Sequence, residues 1–369
     1  MRKQNNDFKL WISISLCFLI CISGILYYLN HTTTSKQHSV TLTNVGFDTP
    51  ITFQASCSQS EFDIYTSIVS ETYIKYNQIF DQYNAYENMN NVYTLNQSAK
   101  DTWIPVDPIL IDCLNKAKEI SMINPQFDIT QGSVLSLWHS YREQGMIANE
   151  KGKSGQIPSQ EDILQAKEHT GYDKIEIKNN LIHYLDPFVQ LDFGGIAKGY
   201  ATQKCKEILE EKGLEQGFIN AGGNVVLIGA KSSSWNIGIK SPDQEESILT
   251  YQTKEPKAIV TSGDYQRYYM VDGKRYSHII NTQTGYPSNY MRSVTIITED
   301  STLADGLSTM LFNLSYEQGR QLIESLQSSI DIEAVWIFDP SINLNSDLEN
   351  DFYCIKRTSG LQTHLSLSH

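Results

Sequence analysis

The chain has 369 residues, of which 40% are hydrophobic, so it can bury an ordinary core in one large domain or two smaller ones. Its formal net charge of −13 argues against wholesale binding of nucleic acid, and we expect no nucleic-acid partner. The same charge means that an anionic ligand has to be held by local groups or by a metal ion.

Residues 11–29 contain no charged side chain, and the run is long enough to cross a bilayer as one helix. Arg2, Lys3 and Lys9 precede it. This pattern predicts a cytoplasmic N-terminus over residues 1–10 and a body on the extracytoplasmic side of the cell membrane. The sequence therefore favours a single-pass transmembrane anchor.

A cleaved signal peptide is the alternative, but the small residues that usually precede a cleavage site are missing. A lipoprotein signal is a second alternative, and Cys17 and Cys21 each follow a bulky residue that does not suit it. An uncleaved anchor remains the preferred interpretation. Residues 30–40 are predicted as a polar linker that joins this anchor to the body.

Apolar residues recur at helical or strand spacing along the body. Helices are predicted over residues 62–80, 107–122, 159–169 and 301–314. Strands are predicted over residues 40–56, 175–185, 235–239, 249–252, 258–261, 268–271, 275–280, 293–297 and 334–338. Residues 83–97 and 148–158 are predicted as loops, and residues 341–369 as a polar tail that frays. Hairpins dominate, so the predicted fold is α+β with mixed, largely antiparallel sheets and packed helices.

Two glycine pairs bracket an amphipathic segment within residues 191–231. Its apolar positions match one face of a helix and are Ala201, Cys205, Ile208 and Leu209. Gly213 suits a left-handed C-terminal cap. Gly194 and Gly195 precede the helix, where backbone N–H groups lack partners and can face an anion. Lys198 opposes the helix dipole in the first turn, and contact with a phosphate would explain it.

The same stretch has neither the glycine spacing of a dinucleotide-binding fold nor that of a P-loop. Glycine pairs of this kind are also found in tight turns that pack against a sheet. A ligand site and a purely structural turn therefore both remain open for this stretch when it is taken alone.

Asp305 and Thr309 are four residues apart on a predicted helix, so both point to one side. Ser308 adds a third oxygen nearby. A carboxylate, a hydroxyl and a backbone carbonyl suit a hard cation such as Mg²⁺. Taken alone, the pair is also compatible with a solvated helix face.

His278 lies near the end of a predicted strand, ahead of a turn at Gly285. With a pKa near neutrality, a histidine here could act as a general base. A structural histidine is the alternative. Asp264, in the preceding glycine turn, is the next candidate for a base.

Taken in order, these segments resemble the FAD:protein FMN transferases, the ApbE-type flavin transferases. The segments are residues 191–200, 220–223, 261–265, 277–285 and 304–309. Weaker likeness occurs earlier, at residues 47–49, 83–96 and 127–132. The resemblance spans about residues 41–340 and implies an ApbE-like catalytic domain there, preceded by the anchor.

The resemblance implies a Mg²⁺-dependent reaction in which FMN passes from FAD to a threonine hydroxyl of an acceptor flavoprotein, forming a phosphodiester and releasing AMP. By similarity, the residues that contact FAD are Asp192, Lys198 and Ile280. The implied ligands of Mg²⁺ are Asp305, Thr309 and the carbonyl of Gly195. His278 would deprotonate the acceptor threonine.

Two departures from the family pattern bear on these expectations. Many relatives carry a lipobox cysteine, which this chain lacks, so its anchoring differs. The family's acceptor signature, Asp-x-x-Ser/Thr-Gly/Ala-Ala-Thr, is not matched by its nearest stretch here, residues 128–134. We therefore expect this chain to modify another protein.

Two other functions remain open at this stage. An FAD pyrophosphatase would use water in place of threonine and give free FMN and AMP. A non-enzymatic FAD-binding surface protein would leave His278, Asp305 and Thr309 without a task.

Overall fold

A computed structural model describes residues 36–342 and 344–368. Its centre is an eight-stranded sheet in which every neighbouring pair is antiparallel. In sheet order, with numbers that follow the chain, the strands are β1 (Lys36–Leu42), β2 (Ile51–Cys57), β6 (Gly217–Ala221), β7 (Asn224–Ile228), β10 (Ala258–Gly263), β13 (Ser293–Thr298), β14 (Glu333–Phe338) and β15 (Cys354–Arg357). The predicted α+β class with antiparallel sheets is confirmed.

Three smaller sheets surround this one. The first contains β3 (Ile104–Pro105), β5 (Leu181–Tyr184) and β4 (Ile175–Lys178). The second contains β16 (Leu365–Leu367), β9 (Ser247–Thr253) and β8 (Trp235–Lys240). The third is a hairpin of β11 (Tyr268–Val271) and β12 (Lys274–Ser277).

The described helices are α1 (Gln59–Phe80), α2 (Val92–Ser98), α3 (Pro108–Ile123), α4 (Gly132–Glu150), α5 (Gln160–Glu168), α6 (Ala197–Glu211), α7 (Ser301–Phe312) and α8 (Tyr316–Leu326). Among them, none is both long and apolar enough to cross a bilayer. The anchor predicted over residues 11–29 lies outside the described residues.

Both faces of the central sheet are covered. Helices α1, α6 and α7 pack on one face in the largest apolar cluster, and the β8–β9–β16 sheet packs on the other. Every residue of β13 is consequently buried. A third, smaller cluster joins α4 and α5 to the β11–β12 hairpin. These layers bring the start of α6, one face of α7 and the residues after β12 to a common cavity.

Several predicted helix ends and turns are confirmed, because they depend on local sequence signals. Helix α6 buries Ala201 and Cys205, and it ends at Glu211, just before Gly213, whose φ of +95° is the left-handed conformation expected after a helix C-terminus. Asp272 and Gly273, with φ of 49° and 78°, form the predicted hairpin turn. Ser159 accepts a hydrogen bond from Asp162 N–H at 3.1 Å and so caps α5 as predicted.

Three predictions on the N-terminal half are wrong. Residues 36–39, predicted as linker, belong to β1, a largely exposed edge strand whose polar composition hid its pairing with β2. Helix α2 begins inside the predicted loop 83–97, where Asn91 caps its N-terminus. Helix α4 runs to Glu150, into the predicted loop 148–158, because the β11–β12 hairpin packs against it.

The prediction that residues 341–369 fray is also wrong. Strand β15 pairs with β14, and β16 pairs with β9. Leu361 and Leu365 are buried in the second apolar cluster. These apolar residues are few and widely spaced, so only their distant partners reveal that they belong to the core.

Candidate functional site

A cavity of about 1150 Å³ lies where the β6–β7 turn, the start of α6, one face of α7 and the segment after β12 meet. The seven residues assigned to the site by resemblance all line it: Asp192, Gly195, Lys198, His278, Ile280, Asp305 and Thr309. The fold therefore brings together residues from three separate segments. Their individual roles remain predictions.

Asp305 is only 6% exposed, and its Oδ2 accepts a 2.7 Å hydrogen bond from the backbone N–H of Gly199. Burial raises the pKa of Asp305 to about 6, although the charge of Lys198 and the Gly199 bond oppose the shift. Asp305 thus lies in the wall of the cavity and not on a solvated helix face, the alternative left open by the sequence.

The donor set fits a hard cation. A Cβ built on Gly195 would lie 3.2 Å from Thr309 Oγ1, so the α6 entry and α7 approach closely beside Asp305. Carboxylate, hydroxyl and carbonyl oxygens are the donors that Mg²⁺ prefers. No group of three or more His, Cys, Asp or Glu side chains suited to a metal occurs in the described part of the chain. Water or substrate phosphate would have to complete the coordination.

Ser308 does not join this donor set. It is fully buried, and its hydroxyl bonds to the carbonyl of Asp305 at 2.9 Å and to the Ser262 hydroxyl at 2.8 Å. Ser262 itself lines the cavity. The predicted third oxygen therefore stabilises α7 against β10.

The glycine pair before α6 does not present its first N–H to a ligand. Gly194 N–H donates to Asp192 Oδ1 at 2.7 Å, and Gln82 Nε2 donates to Asp192 Oδ2 at 2.8 Å. The anion that we expected at this turn is thus the protein's own Asp192 carboxylate. Lys198, one turn further, lines the cavity and remains available to a phosphate.

His278 is held by one backbone carbonyl. Its N–H donates to Arg267 O at 3.0 Å, and its Nδ1 lies 3.2 Å from the same oxygen. Because a carbonyl can only accept, Nδ1 carries the proton and Nε2 keeps its lone pair. This tautomer suits a general base that takes a proton through Nε2.

The pKa of His278 differs from the sequence-based expectation. Desolvation, together with the charges of Arg267, Arg142 and Lys198, lowers this pKa to about 3 instead of leaving it near neutrality. The imidazole is therefore neutral at physiological pH. An anionic substrate would offset the three positive charges and raise the pKa toward the range of an effective base.

Asp264 is not free to act as the alternative base. Arg292 Nε lies 3.0 Å from Asp264 Oδ2, and Arg275 Nη1 lies 3.1 Å from Oδ1. Arg292 also binds Asp243 at 2.7 Å. The network fixes the loop between β10 and β11.

Sequence reasoning missed two polar residues of the cavity wall, His139 and Arg142. Arg142 Nη2 lies 2.7 Å from His139 Nδ1, and the His139 ring lies 5.1 Å from that of Tyr83, centroid to centroid. His139 and Arg142 are three residues apart on α4, a spacing that puts them on one face. If the sequence analysis had extended the helix beyond Trp138, this spacing would have placed His139 and Arg142 together on one helix face.

Comparison with known proteins identifies the family. Residues 47–336 match the model of the ApbE family. A protein of Klebsiella pneumoniae (strain 342) named FAD:protein FMN transferase is 30% identical over 251 residues, which cover 67% of this chain and 74% of that protein.

Solved structures give the same assignment. The crystal structure of the ApbE protein from Thermotoga maritima has a TM-score of 0.70 at 30% identity and covers 82% of this chain and 94% of that chain. The apo flavinyl transferase ApbE from Pseudomonas stutzeri has a TM-score of 0.71 at 23% identity, covers 89% of this chain and 97% of that chain, and supports the fold alone. By sequence, fold and the order of its site segments, the chain belongs to the ApbE family.

Proposed function

We propose that this chain transfers FMN from FAD to an acceptor protein, with a threonine hydroxyl as the acceptor group. One observation carries the proposal: the cavity holds a neutral His278 with Nε2 available, together with Lys198 and the oxygens of Asp305 and Thr309. A base, a positive charge and hard donors are the groups that phosphoryl transfer to a hydroxyl requires. FAD is the substrate that the names of the relatives indicate.

The reaction follows from the position of His278. Nε2 takes the proton of the threonine hydroxyl as its oxygen attacks the phosphorus of the FMN half of FAD. The bond from that phosphorus to the bridging oxygen breaks, and this oxygen keeps the electron pair and leaves on AMP. The products are FMN joined to threonine through a phosphodiester, AMP, and a proton on His278.

The remaining residues bind and orient the substrate. Lys198 contacts a phosphate of FAD, and Asp192, held by Gln82 and Gly194, contacts the same ligand. Ile280, in an apolar cluster with Trp138, forms the wall on which the flavin ring packs. Asp305, Thr309 and the Gly195 carbonyl would hold Mg²⁺, which would neutralise charge on the pyrophosphate.

We also propose that residues 11–29 anchor the chain in the cell membrane with residues 36–368 on the extracytoplasmic side. The support is the uncharged run itself and the basic residues before it. The acceptor is then expected on the same side of the membrane.

The test is incubation of the protein with FAD, Mg²⁺ and a domain that carries the family's acceptor signature. Mass spectrometry of the acceptor should show the addition of one FMN less one water, and AMP should appear in equal amount. Free FMN with an unmodified acceptor would identify a pyrophosphatase instead. If the protein binds FAD but FAD is not consumed, the protein is a non-enzymatic FAD-binding protein.

A further inference from the structure

Arg142 is an arginine that the proposed chemistry does not yet use. Its side chain is 14% exposed and lines the cavity from α4. Its only ion pair within the described residues is with Glu143, whose Oε1 lies 3.8 Å away on a half-exposed side chain. A guanidinium has five donors. The Nη2 of Arg142 lies beside both His139 and Glu143, and the residue lines the cavity.

His139 positions this guanidinium. Because Arg142 Nη2 can only donate, the Nδ1 of His139 at 2.7 Å is the acceptor, and the ring is neutral with its proton on Nε2. Burial and the charge of Arg142 lower the pKa of His139, which keeps the ring neutral. Its other side packs near Tyr83, a further residue of the cavity wall. The pair therefore carries one positive charge in a fixed place.

Arg267 adds a second charge beside it. Its carbonyl holds His278, and within the described part of the chain its half-exposed guanidinium pairs only with the highly exposed Asp48, at 3.4 Å. Arg142 and Arg267 both line the cavity. Burial lowers the pKa of Arg142 and the charge of Arg267 adds to this effect, and both arginines also lower the pKa of His278. Two adjacent cations of this kind are stabilised when an oxyanion binds between them.

Lys198 reaches the cavity from a different element. It precedes Gly199 on α6, whose N–H binds Asp305, whereas Arg142 lies on α4 and Arg267 holds His278 through its carbonyl. Positive charge therefore enters the cavity from three separate segments. A pyrophosphate has two phosphates, and the lysine next to the Asp305 contact can bind one while the two arginines bind the other.

We propose that Arg142 and Arg267 form a subsite for the AMP phosphate of FAD, with His139 as a positioning residue for Arg142. The inference rests on the proposed function and assigns the FMN phosphate to Lys198 and Asp305, which leaves the AMP phosphate to the two arginines. When the bond from the FMN phosphorus to the bridging oxygen breaks, negative charge grows on the AMP phosphate. A guanidinium there stabilises the leaving group more than the ground state.

The test compares the full chain with Arg142→Gln, Arg142→Lys and the matched control Arg320→Gln, a surface arginine that pairs with Glu317 and Glu324 on α8. Dissociation constants for FAD, AMP and FMN are measured by calorimetry. Arg142→Gln should weaken the binding of FAD and AMP by about 10- to 100-fold, as expected for the loss of a charge-assisted hydrogen bond. The affinity for FMN should not change. Arg142→Lys should recover part of the loss, and the control should match the wild type.

A second arm measures the KM for the acceptor protein. Unchanged FAD and AMP affinity with a raised acceptor KM would assign Arg142 to a carboxylate of the acceptor and overturn the proposal. Equal losses of affinity for FMN and AMP would overturn it as well, because a subsite for the AMP phosphate should affect AMP alone, whereas a nonspecific electrostatic effect would act on both phosphates. Selective loss of FAD and AMP affinity in a protein that transfers no FMN would support the subsite while refuting the proposed function. A wild-type protein that does not bind FAD would refute both.

Discussion

The backbone N–H of Gly199 donates a 2.7 Å hydrogen bond to the carboxylate of Asp305. Gly199 is the third residue of α6, where N–H groups have no partner within the helix and the helix dipole is positive. The bond thus joins the start of one helix to the proposed metal ligand on another. It also fixes the Asp305 carboxylate before any ligand arrives.

Gly199→Ala should disrupt this relationship. A Cβ at this position would lie 2.5 Å from Asp305 Cβ and 2.3 Å from the Ser301 carbonyl, so α6 and α7 would have to separate. We expect a loss of about 1–3 kcal/mol in the free energy of unfolding, typical of overpacking. Denaturant unfolding of the variant, with Glu210→Ala on the exposed face of α6 as control, measures it. Unchanged stability and unchanged Mg²⁺ response would show that the helices tolerate the methyl group.

Asp305→Asn should preserve the shape of the site but remove its charge. Mg²⁺-dependent transfer should fall by about 100-fold or more, because metal stabilisation of a phosphoryl group is worth several kcal/mol. The transfer rate is followed against Mg²⁺ concentration, with circular dichroism to confirm the fold. Full wild-type activity in the presence of EDTA would exclude a catalytic metal.

The acid limb of the kcat/KM profile for FAD, which reports the ligand-free enzyme, should belong to Asp305 and not to His278. The folded-state pKa of Asp305 is about 6 and that of His278 about 3, so lowering the pH protonates the carboxylate first. Protonated Asp305 binds a cation poorly, and Mg²⁺ competes with the proton. At low Mg²⁺ the rate should fall below about pH 6 and recover as Mg²⁺ is raised. If the pH at which the rate falls does not depend on the Mg²⁺ concentration, this assignment is wrong.

His278→Ala should lose most FMN transfer and keep FAD affinity. General base catalysis contributes on the order of 100- to 10,000-fold, whereas binding depends on Lys198 and the cavity walls. His278→Asn should behave like His278→Ala because it retains polarity but has no basic nitrogen. Rates with an acceptor domain and dissociation constants for FAD are measured together. Near-normal transfer by His278→Ala would remove it as the base, and Asp264 could not replace it while bound by Arg292 and Arg275.

The N-terminal segment is tested by truncation. The full-length protein should be found in the membrane fraction, and a chain beginning at His31 should be soluble and bind FAD. A chain beginning at Thr43 should be less stable, because it lacks β1 and exposes the edge of β2. Fractionation and thermal unfolding of the three proteins distinguish these outcomes. Recovery of uncleaved full-length protein wholly in the soluble fraction would refute the anchor.

Features with local causes were predictable from the sequence. The apolar face of α6, its cap at Gly213 and the turn at Asp272 and Gly273 follow from helical spacing and from the few residues that tolerate positive φ. The ordered site segments also identified the family, because several weak motifs in one order are specific together. Even so, β15 was missed, since its stability depends on pairing with β14 rather than on its own composition.

The chemistry of the site was decided by contacts between distant residues. The sequence determined that His278, Asp305 and Lys198 are present, and the resemblance suggested their roles. Only the tertiary structure brought Arg142 to the same cavity, gave His278 its tautomer through Arg267, and buried Asp305 against Gly199. The reason is physical: a pKa and a proton position depend on desolvation and on neighbouring charges, and neither is encoded in the spacing of residues along a chain.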